Sequence, residues 1–276
     1  MKISAFIPVY NEEHRIHYTM QSLQWCDEIV VVDKHSSDKT AEICKSYGAK
    51  VFFMENSDTY SVSECEFFKK CTGDWILVMT ASDIIDRSLA KEIKKQINIL
   101  PEDIGCINVP FKNYILGIDD ERSPWHADHG MRAFRNGNYE IVNNVHAAII
   151  HKNNKSYTIS CEFGYMYHLT HVTVDMMLDR HTRYWRGEAM MYNEKSLIPA
   201  FTNIWNAIKE TVKRRKTFLL GWDGIALTLA YVSYYMFSFL YIWEYRRGRK
   251  AVEEYEKLRK NVSDGWNDYE TRLYVK

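Results

Sequence analysis

Short apolar runs, each closed by a polar turn and separated by helix-spaced segments, constrain this chain more than any other feature. Ile3-Ser4-Ala5-Phe6-Ile7 reads as a buried strand that stops at Pro8. Glu28-Ile29-Val30-Val31-Val32 is β-branched and continuous, as in strands covered on both faces. Residues 49–53 and 75–79 repeat the pattern. Residues 12–23, 38–47, 61–71 and 89–99 carry helical spacing between and after these runs. Strands alternating with helices of this length build βαβ units, and hence a parallel sheet.

After Pro101 the pattern changes. Residues 106–111, 131–134 and 147–151 read as strands at the edge of a mixed sheet, with loops rich in His and Asp between them. From Val174 the chain reads as helical to near its end. The expected organisation is an α/β domain over residues 1–172 and a helical extension over 173–276. A chain of 276 residues accommodates both. Lys+Arg and Asp+Glu both number 36, a balance that argues against a nucleic-acid binder. The six cysteines form no CxxC pair and no zinc spacing, which fits a reducing compartment. The first residues enter a strand with no leader pattern, so a cytoplasmic location is expected.

Residues 225–243 form a run without a charge, IALTLAYVSYYMFSFLYIW. Basic residues flank it: Lys213, Arg214, Arg215 and Lys216 before, Arg246, Arg247, Arg249 and Lys250 after. The segment is long enough to be a buried core helix, a helix lying in the membrane interface, or a span. The interfacial reading is favoured. Tyr231, Tyr234, Tyr235, Tyr241, Trp222 and Trp243 suit that zone, and positive charge on both flanks gives a span no orientation.

In open parallel sheets ligands bind beyond the carboxyl ends of the strands. Here those ends are Pro8-Val9-Tyr10-Asn11-Glu12-Glu13, then Asp33-Lys34-His35-Ser36-Ser37-Asp38, then Thr80-Ala81-Ser82-Asp83. Three polar ends around one crevice can hold a base, a ribose and a diphosphate. Tyr10 can stack on a base, Asp33 can accept a base N–H, and Asp83 can hold a divalent cation against the diphosphate.

The runs IPVYNEE, DEIVVVDKHSSDKTAEICKSYGAKV and GDWILVMTASD resemble the N-terminal half of family-2 glycosyltransferases with the GT-A fold, over nearly the first 90 residues. The later chain resembles the branch that adds sugars to bacterial lipopolysaccharide core and related glycolipids. The matching residues are Trp125, Asp128, Arg132, Phe134, the pair Val145-His146, the stretch near His168, and Gly221-Trp222-Asp223-Gly224. The resemblance implies an inverting transfer of a sugar from a nucleotide donor, UDP-linked by preference, to a saccharide or lipid-linked acceptor at the inner face of the cytoplasmic membrane. Pro8, Tyr10 and Glu12 would line the nucleoside pocket, Asp33 would contact the base with Ser36 nearby, and the turn 80–83 would meet metal and diphosphate. Arg132 or Arg135 would help the departing phosphates.

Two departures stand out. The family's Asp-x-Asp turn reads Thr80-Ala81-Ser82 here, so only Asp83 is acidic. Either Asp83 holds a Mg2+ or Mn2+ ion with water, or metal dependence is weakened, because hydroxyls are weaker ligands for hard cations. Ala147 stands where the branch commonly has Glu. The base that takes the acceptor proton is then sought among Asp128, His146, His126 and His129, with Asp128 first and His146 second. Two rival readings remain: a non-catalytic protein built on the nucleotide-sugar fold, and a transferase whose acceptor is a polyprenyl phosphate and needs no base.

Overall fold

A computed structural model describes residues 1–55, 66–141, 149–152, 155–248 and 250–274. The first strands form where the β-branched runs lie: β1 (Ile3–Val9), β2 (Glu28–Asp33), β3 (Lys50–Phe53) and β4 (Trp75–Val78). All four are parallel, with β1 between β2 and β4 and β3 outside β2. Helices α1 (Ile16–Ser22), α2 (Thr40–Ser46) and α3 (Arg87–Ile99) connect or follow them. β1 runs through Pro8 to Val9, two residues beyond the expected stop, with Pro8 set beside Val32.

The second half of the sheet is mixed. β5 (Asp83–Ile85) follows the turn after β4, and then come β6 (Cys106–Ile115) and β7 (His129–Arg135). β7 lies antiparallel between β4 and β6. Among the described residues β8 (Tyr139–Ile141) and β9 (Ile149–His151) pair only with each other, so the described part of the run expected at the sheet edge forms a separate ribbon instead. β10 (Ser156–Thr158) and β11 (Met166–Thr170) both join β6 in parallel, and β11 also takes β5 antiparallel. The result is a mainly parallel mixed sheet flanked by helices, the GT-A class expected. Of the helix expected over 61–71, the described part is a 3₁₀ turn at Glu66–Lys70.

The core lies between this sheet and α1 and α3. Ile3, Ile7, Ile16, Met20, Trp75, Leu77, Leu89 and Ile93 are fully buried there. On the other face Phe6, Val30, Val32, Phe68 and Ile76 form a second cluster. Alternate residues of β1 and β2 feed the two clusters, as a strand buried on both faces requires.

Beyond β11 the chain is helical: α4 (Val174–Met191), α5 (Ile198–Ile208), α6 (Trp222–Arg247) and α7 (Lys250–Tyr274). Thr173 caps α4, its side chain accepting the Met176 N–H at 3.2 Å. A π-helical turn (Lys209–Arg214) and a 3₁₀ turn (Thr217–Leu220) lead into α6. Gly221 has φ +67°, and a Cβ on Gly224 would overlap the Thr217 carbonyl oxygen. The glycines of the GWDG motif therefore let α6 start hard against the preceding turn.

Candidate functional site at the carboxyl edge of the sheet

The loops after β1 and β2 are knitted together by side chains that bond to backbone. Asn11 N–H donates to Ser36 Oγ (2.9 Å), Ser37 N–H to Asn11 Oδ1 (2.8 Å), and Glu12 N–H to Thr40 Oγ1 (2.7 Å). Asn11 and His35 both adopt positive φ. This lacework fixes the ends of two strands against each other and puts Asp33 beneath them. Asp33 is fully buried. Its Oδ1 accepts the Ser36 N–H at 2.6 Å, and its Oδ2 has no hydrogen-bond partner among the described residues. A buried carboxylate oxygen with no donor is costly, so this atom is suited to an N–H brought by a ligand. Pro8 is partly exposed and Tyr10 exposed at the same edge.

Glu12 has a different setting from the one expected. Its carboxylate accepts Arg15 Nε (2.5 Å) and Nη2 (2.7 Å), and also Arg180 Nη2 (3.1 Å) from α4. It orders two arginines rather than standing open to a nucleoside. Arg180 Nη1 also donates to Thr170 Oγ1 (3.1 Å), at the end of β11.

Asp83 is fully buried at the start of β5. His168 Nδ1 lies 2.6 Å from its Oδ1, the Thr80 N–H donates to its Oδ2 at 2.7 Å, and Arg132 Nη1 is 3.6 Å from Oδ2. Burial alone would raise this carboxyl, but Arg132 and His168 outweigh it and hold it at about 2. Arg132 lies over the Phe111 ring at 4.7 Å, and His168 stacks on the same ring. Ser82 is buried, and the Ser82 N–H donates to Thr80 Oγ1 at 3.3 Å.

This donor set does not fit the divalent cation expected at Asp83. Both carboxylate oxygens are engaged by protein donors, and its two nearest side-chain partners are basic rather than acidic. Among the described residues no group of three or more His, Cys, Asp or Glu side chains gathers as a metal site.

Asp128 sits in the loop before β7 with its side chain 83% exposed and His126 Nε2 3.0 Å from its Oδ1. His129 Nε2 lies 3.1 Å from the Ile159 carbonyl and so serves the fold. His146 and Ala147 lie outside the described residues. Arg135 is stacked on Trp75, and its Nη2 donates to the Pro101 carbonyl, remote from the turn 80–83.

A cavity of about 750 Å³ opens between the sheet edge and the C-terminal helices. Thr80, His168, Thr170 and Arg180 line the end nearest the turn. Tyr184, Glu188, Tyr231, Tyr234, Tyr235 and Ser238 line the far end, which α4 and α6 build. Glu188 accepts the hydroxyls of Tyr234 and Ser238, both at 2.5 Å. Trp125 meets Tyr231 edge-on at 5.1 Å, which ties the loop holding Asp128 to α6. Arg215 reinforces that tie, donating to the Glu121 and His126 carbonyls. His171, beside the cavity, has φ +52° and is buried. Burial and its neighbours His181 and Arg180 push its pKa down to about 3. Sequence reasoning missed Arg15, Arg180 and Glu188. Each stands in a helical pattern that marks a face, and nothing local signals the partner met across the fold.

A mixed, mainly parallel α/β sheet with polar loops at its carboxyl edge defines the fold class, and the sequence comparison gives the family. Residues 4–158 match Glycosyl transferase family 2, and the chain belongs to that family. It is a glycosyltransferase. It is 25% identical over 207 residues to the lipopolysaccharide core biosynthesis glycosyltransferase LpsC of Rhizobium meliloti, covering 73% of this chain and 75% of that protein. It is also 25% identical over 240 residues to the uncharacterized glycosyltransferase RP128 of Rickettsia prowazekii, covering 81% and 80%. Among solved structures, S. aureus TarS 1-349 in complex with UDP-GlcNAc aligns over 90% of this chain and 92% of that one, with 17% identity and a TM-score of 0.47.

Proposed function

We propose that this glycosyltransferase moves a sugar, with inversion, from a UDP-sugar onto a saccharide or glycolipid acceptor in lipopolysaccharide or related cell-surface polysaccharide synthesis. The observation that carries the donor half is the unpartnered, buried Asp33 Oδ2 at the sheet's carboxyl edge. A uracil N3–H satisfies it, with Tyr10 stacking on the base. From there a diphosphate runs past Thr80, and the sugar enters the cavity. Asp83 acts as a positioning residue, holding His168 and Arg132.

In the transfer, an acceptor hydroxyl oxygen attacks the anomeric carbon. The bond from that carbon to the distal phosphate oxygen breaks, and its electron pair leaves with the nucleoside diphosphate. The hydroxyl proton passes to Asp128, whose exposed carboxylate stands beside His126. A single displacement of this kind inverts the anomeric centre. The aromatic walls and Glu188 of the far cavity suit an acceptor sugar, whose C–H face packs on rings while its hydroxyls donate to a carboxylate.

The acceptor side also faces a membrane in this reading. Ile198, Phe201, Trp205 and Val212 are exposed and recur at helical spacing on one side of α5 and the turn after it. Trp222, Ile225, Leu229, Met236, Leu240 and Trp243 do the same along α6. α6 is the described helix long and apolar enough to cross a bilayer, yet its inner face lines the cavity. Spanning would pull that face from Glu188 and Trp125 into lipid, so α6 lies in the interface instead, its basic flanks on anionic headgroups. The cytoplasmic leaflet is then the enzyme's surface.

A thermal-shift screen of UDP-, GDP- and dTDP-sugars tests the donor. A UDP-sugar is expected to raise the melting temperature of the wild type, and that of Asp33→Ala by clearly less at the same concentration. A shift with none of them would end the reading. Asp128→Asn retaining full turnover would move the acceptor to one already ionised, such as a polyprenyl phosphate.

A further inference from the structure

A nucleoside diphosphate carries its negative charge on the phosphates, and that charge needs a counterpart in the site. Carboxylates that could bring in a metal are scarce at the turn. Thr80 and Ser82 are neutral, and both oxygens of Asp83 are already engaged. Cationic side chains are not scarce. The guanidinium groups of Arg15 and Arg180 share the one carboxylate of Glu12. That group of three side chains carries two positive charges and one negative.

Its position matches the need. β11 lies beside the turn, with His168 paired to Asp83 and the Leu169 N–H donating to the Ser82 carbonyl at 2.8 Å. Arg180 is anchored two residues further along β11, on Thr170. It lines the same cavity as Thr80 and His168. The bonds to Thr170 and Glu12 fix the guanidinium plane and leave further N–H donors of its fork unspent. A planar fork of this kind matches phosphate oxygens in pairs. Burial, and then the charge of Arg15, press the Arg180 guanidinium toward losing its proton, a repulsion that an arriving anion relieves.

We propose that Arg180, backed by Arg15 and oriented by Glu12, binds the donor's diphosphate in place of a divalent cation, so that this glycosyltransferase grips its donor without metal. Arg180 belongs to α4, beyond the residues that match the family. Part of the donor site is therefore supplied by the helical extension. The inference rests on the nucleotide-sugar reading above.

The test separates the two. Full-length protein stripped with EDTA is titrated by calorimetry with uridine and with UDP, with and without Mn2+. The expected result is that UDP binds at least about tenfold more tightly than uridine without metal, and that Mn2+ changes this ratio by less than about twofold. Arg180→Gln is expected to bring the ratio close to unity while uridine affinity holds, with Arg180→Lys in between. If UDP surpasses uridine only after Mn2+ is added, the proposal is overturned by the wild type alone. An Arg180→Gln protein that binds uridine and keeps the wild-type ratio overturns it too. If neither ligand binds the wild type, the nucleotide-sugar reading itself falls.

Discussion

The sheet and the helical extension bury their apolar residues to very different degrees. In the sheet, β1, β2 and β4 place their apolar side chains in two clusters, nearly all fully buried. Among the described residues of the extension, Met177, Trp185, Ala207 and Leu227 are buried singly, and the one cluster of buried residues holds Ala189, Ala200 and Ile242. Many of the large apolar side chains of α5 and α6 point outward instead, with Trp222 84% and Leu229 66% exposed. A soluble monomer seldom leaves so long an apolar stripe uncovered. The sheet is thus finished by its own packing, whereas the extension leaves many of its large apolar side chains uncovered.

The sharpest test of that contrast is a matched pair of leucines. Leu77→Ala in β4 is expected to cost about 2–5 kcal/mol of stability, because the site is sealed and cannot collapse. Leu229→Ala on α6 should stay within about 0.5 kcal/mol in solution. Urea melts of both variants check this, and equal losses would erase the contrast.

The next effect falls on the ligand edge of the sheet. Asp33→Ala should weaken UDP binding by roughly ten- to hundredfold, the range for a hydrogen bond to a charged group. Calorimetry reads it. On the extension, Trp205→Ser with Trp222→Ser and Leu229→Ser should lower binding to vesicles of anionic phospholipid by about tenfold or more. The melting temperature without vesicles should hold. Flotation assays decide, and unchanged flotation would return α6 to the role of a bare structural helix.

Acid should loosen the seam between the regions before it loosens either alone. The folded His171 is held at about 3 against an ordinary 6.5, so its neutral form is the one that folds. The stability it contributes is complete above about pH 6.5 and falls as pH drops toward 3. Asp83 is held at about 2 against 3.8, so its contribution is complete above about pH 4 and is lost as pH falls toward 2. Melting temperature against pH should therefore begin to decline near pH 6.5, and His171→Asn should flatten the part above pH 4. The smallest effect expected is on the acceptor. Glu188→Gln keeps the shape of the cavity wall and one of its two hydroxyl-accepting oxygens, the amide N–H reversing the other contact, and should raise acceptor KM by only about three- to tenfold with donor KM unchanged.

The sequence pattern made the first four strands legible because the β-branched runs and their polar turns are local signals. It did not reveal β5, β10 and β11. Each has only 3–5 residues, and their pairing comes from distant chain, as in Met166 against Ile85. The site divides in the same way. Asp33 and Asp83 stand at strand ends and can be read there. Arg180 meets Glu12 across 168 residues of chain, and His168 meets Asp83 across 85. Glu12 was expected to face a nucleoside because its position after β1 is visible in the sequence. Its two arginine partners are not visible there, and they decide its role.

The tight start of α6 has one more consequence. Since Gly224 admits no side chain beside the Thr217 carbonyl, the wall that α6 gives the cavity is hung from a single missing methyl group. Gly224→Ala would lever the whole 26-residue rod away at its base, tilting the greasy outer stripe and gaping the chamber together. The tilt of that outer stripe and the width of the cavity are thereby geared to one pivot, so a force on the rod's outer face is felt as a change of room inside.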